Sequence, residues 1–363
     1  MWSPKLLNRL PAGKFRLSLI DKQMAVSAAK AINIPDNATV IEINSGWSLN
    51  KIFRSACLGF LTHALLKHTN AKKIIALDND QECVENLMRL AEESSGRLEV
   101  TQAENNIVSK FASNKLEVIC SWLQKEKLAD MQVYPWEEVH PSLISIFHLP
   151  DKMNGDYLLN QIMQDFYNRS GFQTYGRVRT NVFMPAYLYE KNMAMLGDIK
   201  RCKQGVVMES LANIDILRMI PERAYTPKSI NVLLSLTPQV QPKLKAQLDV
   251  FEYVLRHVLS KKTVPLCDIM RHEIFCLCLI TDIYKAISFP VIIVKYFNIY
   301  SNSTLGAGAE SLTKNLSFDS RVLVKDVTVE QFIELAQIFE QWPFRPVNLH
   351  VAFNENYKRR RRN

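Results

Sequence analysis

The hydrophobic positions of the first half of the chain arrive as short β-branched runs, each followed by a stretch of helical spacing. The run Thr39-Val40-Ile41-Glu42-Ile43-Asn44 predicts a strand, because Val, Ile and Thr suit a pleated, half-buried surface. It stops at Ser45-Gly46, and Ser48 is placed to cap a helix carrying Leu49, Ile52 and Phe53. The unit then repeats: Lys73-Ile74-Ile75-Ala76-Leu77 ends in Asp78-Asn79-Asp80, after which Val84, Leu87, Met88 and Leu90 share one helical face. Residues 98–101, 143–149, 182–184 and 230–236 are further strand candidates, separated by helical or irregular segments. Such alternation predicts a doubly wound, mostly parallel α/β sheet.

After Pro238 the pattern turns helical, over residues 248–259, 267–287 and 329–340. The last of these has a clear start, with Thr328 as N-cap and Glu330 complementing the helix dipole. A domain boundary is therefore expected near Pro242. Residues 13–242 form an α/β domain, 243–354 a smaller helical domain and 355–363 a basic tail, while 1–12 read as a targeting segment or an N-terminal arm. No repeat of solenoid period occurs, and the only low-complexity stretch is Lys358-Arg359-Arg360-Arg361-Arg362.

Composition narrows the class. A chain of 363 residues with 47% apolar and 22% charged positions has the material for two folded cores rather than a disordered polymer. Its net charge of +9 is lopsided: residues 1–150 hold 17 Lys and Arg against 16 Asp and Glu, so the excess lies in the remainder. A cationic folded body attracts polyanions, phosphate backbones above all, although solubility charge has the same signature. Lys5, Arg9, Lys14 and Arg16 all precede the first acid, Asp21, as in a mitochondrial targeting segment. Seven scattered cysteines without paired spacing argue against a disulfide framework or a zinc site, and no metal is expected. No apolar run is long enough to span a membrane, and none is expected as a partner.

An acid at the end of a first strand, followed by a glycine turn into a helix, is how many α/β proteins hold a nucleotide-like cofactor. Here Glu42-Ile43-Asn44-Ser45-Gly46-Trp47-Ser48 keeps one glycine, and Trp47 adds bulk beside it, so close backbone approach is hindered. Together with later segments this stretch resembles the ribosomal RNA adenine dimethyltransferase family, and within it the mitochondrial transcription factor B branch. The family's Asn-Leu-Pro-Tyr substrate motif falls on His148-Leu149-Pro150-Asp151. Tyr225-Thr226-Pro227-Lys228-Ser229-Ile230-Asn231-Val232 resembles its Phe-x-Pro loop and strand, with shortened spacing. Arg256-His257 and Lys261-Lys262-Thr263-Val264-Pro265 follow the basic helix start of its second domain. Trp342-Pro343-Phe344-Arg345-Pro346 resembles the Trp-Pro-Phe-Lys-Pro segment of fungal mitochondrial transcription factors. The likeness runs from about Phe15 to Phe353.

The resemblance implies a Rossmann-like class I methyltransferase fold with a helical C-terminal domain, and a degenerate catalytic site. His148 and Asp151 replace the Asn and Tyr that hold the target adenine, and Asp151 offers no π face. The ribose-binding acid aligns with Ala76, with Asp78 two residues on, while Glu104 matches the acid for the cofactor's adenine. Glu42, Gly46, Asp78 and Glu104 are thus vestigial cofactor positions, compatible with S-adenosylmethionine without requiring it. His148 at an apolar strand end is read first as a core histidine, and Tyr225 as either packing or a stacking platform for an unpaired base.

The branch implies a mitochondrial-matrix initiation factor for the single-subunit mitochondrial RNA polymerase, which binds promoter DNA and traps unpaired bases. Trp47, Trp136, Tyr225, Arg256, Lys261, Lys262 and Arg359, Arg360 and Arg361 of the tail are its nucleic-acid candidates. Trp342-Pro343-Phe344 packs the second domain or meets the polymerase. The rival readings are an active adenine dimethyltransferase and a non-catalytic ribosomal RNA-binding protein.

Overall fold

The β-branched runs become the strands of one seven-stranded sheet. The computed structural model describes residues 17–44, 59–78, 81–102, 115–150, 153–270, 312–342 and 345. In chain order the strands are β1 (Ser18–Leu19), β2 (Thr39–Asn44), β3 (Lys73–Asp78), β4 (Leu98–Gln102), β5 (Val139–His148), β6 (Arg177–Pro185), β7 (Ala212–Ile220), β8 (Tyr225–Thr226) and β9 (Asn231–Pro238). The helices are α1 (Lys22–Ile32), α2 (Phe60–His68), α3 (Gln81–Glu92), α4 (Lys115–Glu126), α5 (Met153–Asn168), α6 (Ala186–Asn192), α7 (Lys203–Leu211), α8 (Leu248–Val258), the short α9 (Leu266–Ile269) and α10 (Val329–Gln341). The sheet runs β4-β3-β2-β5-β6-β9-β7. It is parallel from β4 to β6, and β9 is antiparallel to both β6 and β7. This is the doubly wound, mostly parallel arrangement the alternating pattern predicts.

Two compact units emerge, one of residues up to Glu190 with Leu211–Pro242, the other of Lys191–Ser210 with the chain from Lys243 onward. In the first unit α1 forms because Ala25, Ala28, Ala29 and Ile32 recur on one buried face. Asp21 caps it, its carboxylate accepting from the backbone of Gln23 at 2.8 Å and Met24 at 3.0 Å. The small alanines let α1 lie close on α2 and on β7. On α3 the expected apolar face is narrower than its spacing implies: Val84 and Leu87 are buried, whereas Met88 is half exposed.

The sequence reading did not find β7. Only its end residues Ala212 and Ile220 are buried, and a register shift between Ile216 and Arg218 breaks the alternation that marks a strand. As the last strand of the sheet it shows Ile216 and Met219 to solvent. Of the helix expected over 267–287, Leu266–Ile269 forms the short α9, and residues 271–287 lie outside the described set.

In the second unit α8 packs on α10 through a row of rings: Tyr253 stacks on Phe339 at 5.5 Å and Phe339 on Trp342 at 6.0 Å. Trp342 is buried there, within its own unit. The start of α10 is a full capping box, Thr328 Oγ1 accepting from Gln331 N while the Gln331 side chain accepts from Thr328 N.

Just inside β5, His140 is buried with both ring nitrogens used. Nε2 lies 3.0 Å from Gln132 O, and Nδ1 accepts from Ser142 N at 3.2 Å. That fixes the neutral tautomer with the proton on Nε2, and burial holds its pKa below the ordinary 6.5, against the opposing pull of the Gln132 carbonyl. The unfolded chain therefore takes up a proton before the folded one does. Stability is full above about pH 6.5 and declines as the pH falls from there toward the depressed folded value. Thermal melts between pH 8 and 5 are expected to show this fall, and His140→Phe is expected to flatten it. Some slope remains in that variant, because His63 is also held low, by burial first and then by Lys67, Lys22 and His68.

Candidate functional site

In a doubly wound sheet the ligand crevice opens where the strand order reverses, outside the carboxyl ends of the strands. Here the reversal lies between β2 and β5, since the chain leaves β2 outward to β3 and β4 and returns to β5 on its other side. Asn44 ends β2 opposite His148, which ends β5, and His148 in turn lies opposite Phe183 of β6. Glu42 is paired between Ile146 and Ala76. Because side chains alternate, Glu42, Ala76, Asp78, His148 and Phe183 all belong to one face.

On that face Glu42 is 1% exposed. Its Oε2 accepts from Thr62 Oγ1 of α2 at 2.7 Å, and its Oε1 lies 3.5 Å from His148 Nε2. The imidazole lies flat on the Phe183 ring, centroids 4.4 Å apart and planes 2° from parallel. A buried carboxylate is tolerated when its lone pairs are answered; Thr62 answers Oε2, while Oε1 has the His148 imidazole near it without a hydrogen bond. Asp78, at the end of β3, is likewise 1% exposed, and Ala76 is wholly buried. A nucleoside-type methyl donor needs acceptors open to the crevice for its ribose hydroxyls. The described residues do not fit that need: Glu42 is turned onto Thr62 and His148, Ala76 has no acceptor, and Asp78 is closed from solvent.

Leu149 N donates to Phe183 O at 3.0 Å, and α5 approaches Pro150 closely at Gly155. Gly155 makes this approach feasible, since a Cβ there would sit 2.2 Å from Pro150 O and 2.3 Å from Leu188 Cδ1.

The structure brings together Glu42, Asp78, His148, Leu149 and Pro150 at the carboxyl ends of the central strands. Gly46, Trp47, Glu104, Asp151 and Arg359, Arg360 and Arg361 lie outside the described residues. Tyr225 requires correction as a stacking platform. It is 2% exposed in the main core of the first unit, paired with Leu19 across β1 and β8, and burial pushes its phenol far above the usual range. No free ring face remains for a base. Trp136 is half-buried and precedes β5, at the amino end of the parallel strands. Its Nε1 donates to Val240 O at 3.1 Å, and the Arg169 guanidinium lies 4.4 Å over its ring. Arg256, Lys261 and Lys262 belong to the second unit, with Lys261 exposed, Arg256 half-buried, and Lys262 Nζ donating to Ile199 O at 2.7 Å.

Sequence reasoning missed Thr62 and Phe183. A hydroxyl among Leu61, Ala64 and Leu65 on the buried side of α2 is a signal for the first. The second was legible only as part of a strand, because its contact with His148 depends on register. Among the described residues no group of side chains is arranged to hold a metal ion, and no helix is long and apolar enough to cross a membrane.

Comparisons with known proteins agree with this architecture. The chain is 22% identical over 242 residues to the mitochondrial dimethyladenosine transferase 1 of Xenopus tropicalis, covering 66% of this chain and 62% of that protein, so less than two thirds of that relative's length is matched. It is 22% identical over 243 residues to mitochondrial transcription factor 1 of Lachancea kluyveri, covering 64% and 67%. Its fold matches the crystal structure of a dimethyladenosine transferase from Plasmodium falciparum with a TM-score of 0.56 at 14% identity, over 87% of this chain and 95% of that one. The family model for ribosomal RNA adenine dimethylase matches residues 18–274, more than half of the sequence. The chain belongs to the ribosomal RNA adenine dimethylase family.

Proposed function

We propose that this chain is a non-catalytic member of the family, a transcription initiation factor of the mitochondrial matrix. It assists the single-subunit mitochondrial RNA polymerase in promoter recognition and melting. The observation that carries this reading is the inward-turned Glu42: it is buried, accepts from Thr62 and faces the His148 ring rather than standing open to the crevice for a methyl donor. The similarity to a protein named mitochondrial transcription factor 1 supports the choice of role. S-adenosylmethionine is not required for it.

Lysine and arginine contacts to phosphates fix position without reading sequence, and Arg256, Lys261 and Lys262 are the described cations proposed for that task. Holding unpaired bases is a separate requirement. Stacking contributes roughly 1–3 kcal/mol per base, so two or three aromatics matter against the cost of melting. With Tyr225 in the core and Trp136 at the amino end of the parallel strands, this part falls to Trp47, three residues beyond β2, and to the basic tail.

The test is 2-aminopurine fluorescence on a mitochondrial promoter duplex, with the polymerase alone and with this protein added. A rise that requires both proteins is expected. The second reading, an active adenine dimethyltransferase, is favoured by the names of the vertebrate relatives. Unchanged fluorescence together with methylation of ribosomal RNA adenine would replace the first reading with the second. Unchanged fluorescence with RNA binding but no methylation would leave a structural ribosomal RNA-binding protein.

A further inference from the structure

In the first unit, the amino ends of the parallel strands carry a surface that the nucleic-acid reading leaves unused. Trp136 lies there half-buried, with Val133 63%, Val139 41% and Val240 38% exposed. The backbone brings them together: Trp136 Nε1 donates to Val240 O at 3.1 Å, and Val139 opens β5 opposite Arg177 of β6. Arg177 ties the two stretches, donating to Pro238 O at 3.2 Å and to Glu137 O at 2.9 Å. Single exposed valines are ordinary, but three gathered about a tryptophan form an apolar patch.

The segment is ordered. Tyr134 N donates to Tyr175 O at 2.8 Å, Glu138 N donates to Pro135 O at 3.3 Å, and Tyr134 meets the His140 ring edge-on at 4.7 Å. Gly176 permits this course, since its φ of 120° suits glycine and a Cβ there would lie 2.7 Å from Tyr134 O. Arg169, the residue after α5, holds its guanidinium 4.4 Å over the Trp136 ring and covers one of its faces. The charge is unlike that of the whole chain. Residues 129–139 hold Asp130, Glu137 and Glu138, all exposed, and no lysine or arginine, in a sequence with a net charge of +9.

We propose that the surface around Trp136 docks a protein partner whose contacting patch is apolar at its centre and edged by lysine and arginine. On the proposed function, on which this inference rests, that partner is the polymerase. Two observations select protein over nucleic acid. The three carboxylates repel phosphates, and Arg169 covers a ring face that a stacking base would need. A tryptophan capped by a guanidinium and flanked by aliphatic groups is instead the kind of anchor that dominates protein interfaces. Its acidic edge is complementary to a cationic rim. The position suits a factor that meets two partners at once. Strand β5 runs from this patch to His148 at the crevice, about 30 Å for its ten residues, so a protein seated here leaves the crevice end clear for DNA.

The experiment measures binding of purified mitochondrial RNA polymerase, and separately of a pre-melted promoter duplex, to the wild-type chain and two variants. The first is Trp136→Ala. The second is the pair Glu137→Lys, Glu138→Lys, whose side chains are exposed, so its melting temperature is expected to be unchanged. Trp136→Ala is expected to weaken polymerase binding by about 30-fold or more, the scale of an interface hot spot. The charge-reversed pair is expected to slow polymerase association about tenfold at low salt, a difference that shrinks as salt rises. DNA affinity is expected to fall in neither. Where Trp136→Ala lowers the melting temperature, the charge-reversed pair decides alone. Unchanged polymerase binding in a variant of wild-type stability overturns the proposal and leaves the transcription reading standing. A loss confined to DNA affinity also overturns it, and returns Trp136 to the nucleic-acid surface. Failure of the wild-type chain to bind polymerase removes the transcription reading, and this docking with it.

Discussion

Tyr225→Phe is expected to leave the protein as stable as before, or about 1 kcal/mol more stable, while Tyr225→Ala is expected to cost about 3–5 kcal/mol. The ring is packed among the core residues of the first unit, and the phenolic oxygen is buried without a hydrogen-bond partner among the described residues. Removing the hydroxyl relieves an unanswered polar group, whereas removing the ring opens a cavity the rigid sheet does not collapse to fill. Chemical denaturation of the two variants reads both effects. The same pair of variants decides the role of this residue. A stacking platform would lose promoter opening in Tyr225→Ala with little change in stability, while a core residue loses both together. Tyr225→Ala that is as stable as wild type yet defective in opening would return Tyr225 to the nucleic-acid surface.

The burial of Tyr225 shows what a sequence pattern carries and what it does not. The strand preceding the crevice was legible at β2 and β3, because β-branched runs buried on both faces have no other comfortable conformation. The start of α10 was legible in Thr328, because capping is a local interaction. Tyr225 lies in a two-residue strand whose partner, Leu19, is 206 residues away in sequence, and nothing local reports that pairing. β7 was lost for a related reason: an edge strand with a register shift has neither a clean period nor two buried faces.

The site divides along the same line. That Glu42, Asp78 and His148 lie at strand ends was legible because strand ends are local and the crevice position follows from topology. That Glu42 bonds Thr62, and that His148 lies flat on Phe183, depends on a helix crossing the sheet and on the register of β5 against β6. His148 lies flat on Phe183, with its Nε2 3.5 Å from Glu42 Oε1. It bridges an apolar stack and a buried carboxylate, filling space at the crevice with the chain's own side chains.

If the chain is non-catalytic as proposed, a single substitution is not expected to bring methyl transfer back. Calorimetric titration of the wild-type chain with S-adenosylmethionine is expected to show no binding at about 1 mM, a free energy no better than roughly −4 kcal/mol. No dimethyladenosine is expected on an adenine-bearing RNA hairpin. His148→Asn brings back the family's residue and takes the imidazole off Glu42, yet Glu42 stays bonded to Thr62 and no ribose acceptor is gained at Ala76, so transfer is still expected to be absent. Restoring that acceptor is the harder step. Ala76 is wholly buried between Glu42 and Val100 in the register of the sheet, so Ala76→Glu places a second carboxylate beside Glu42 without a cation to answer it. Ala76→Glu is expected to lose about 3–5 kcal/mol of stability, the scale of an unpaired buried charge. A stable Ala76→Glu protein, or methyl transfer by the wild-type chain, would show instead that this face opens to solvent and that the crevice still serves a cofactor.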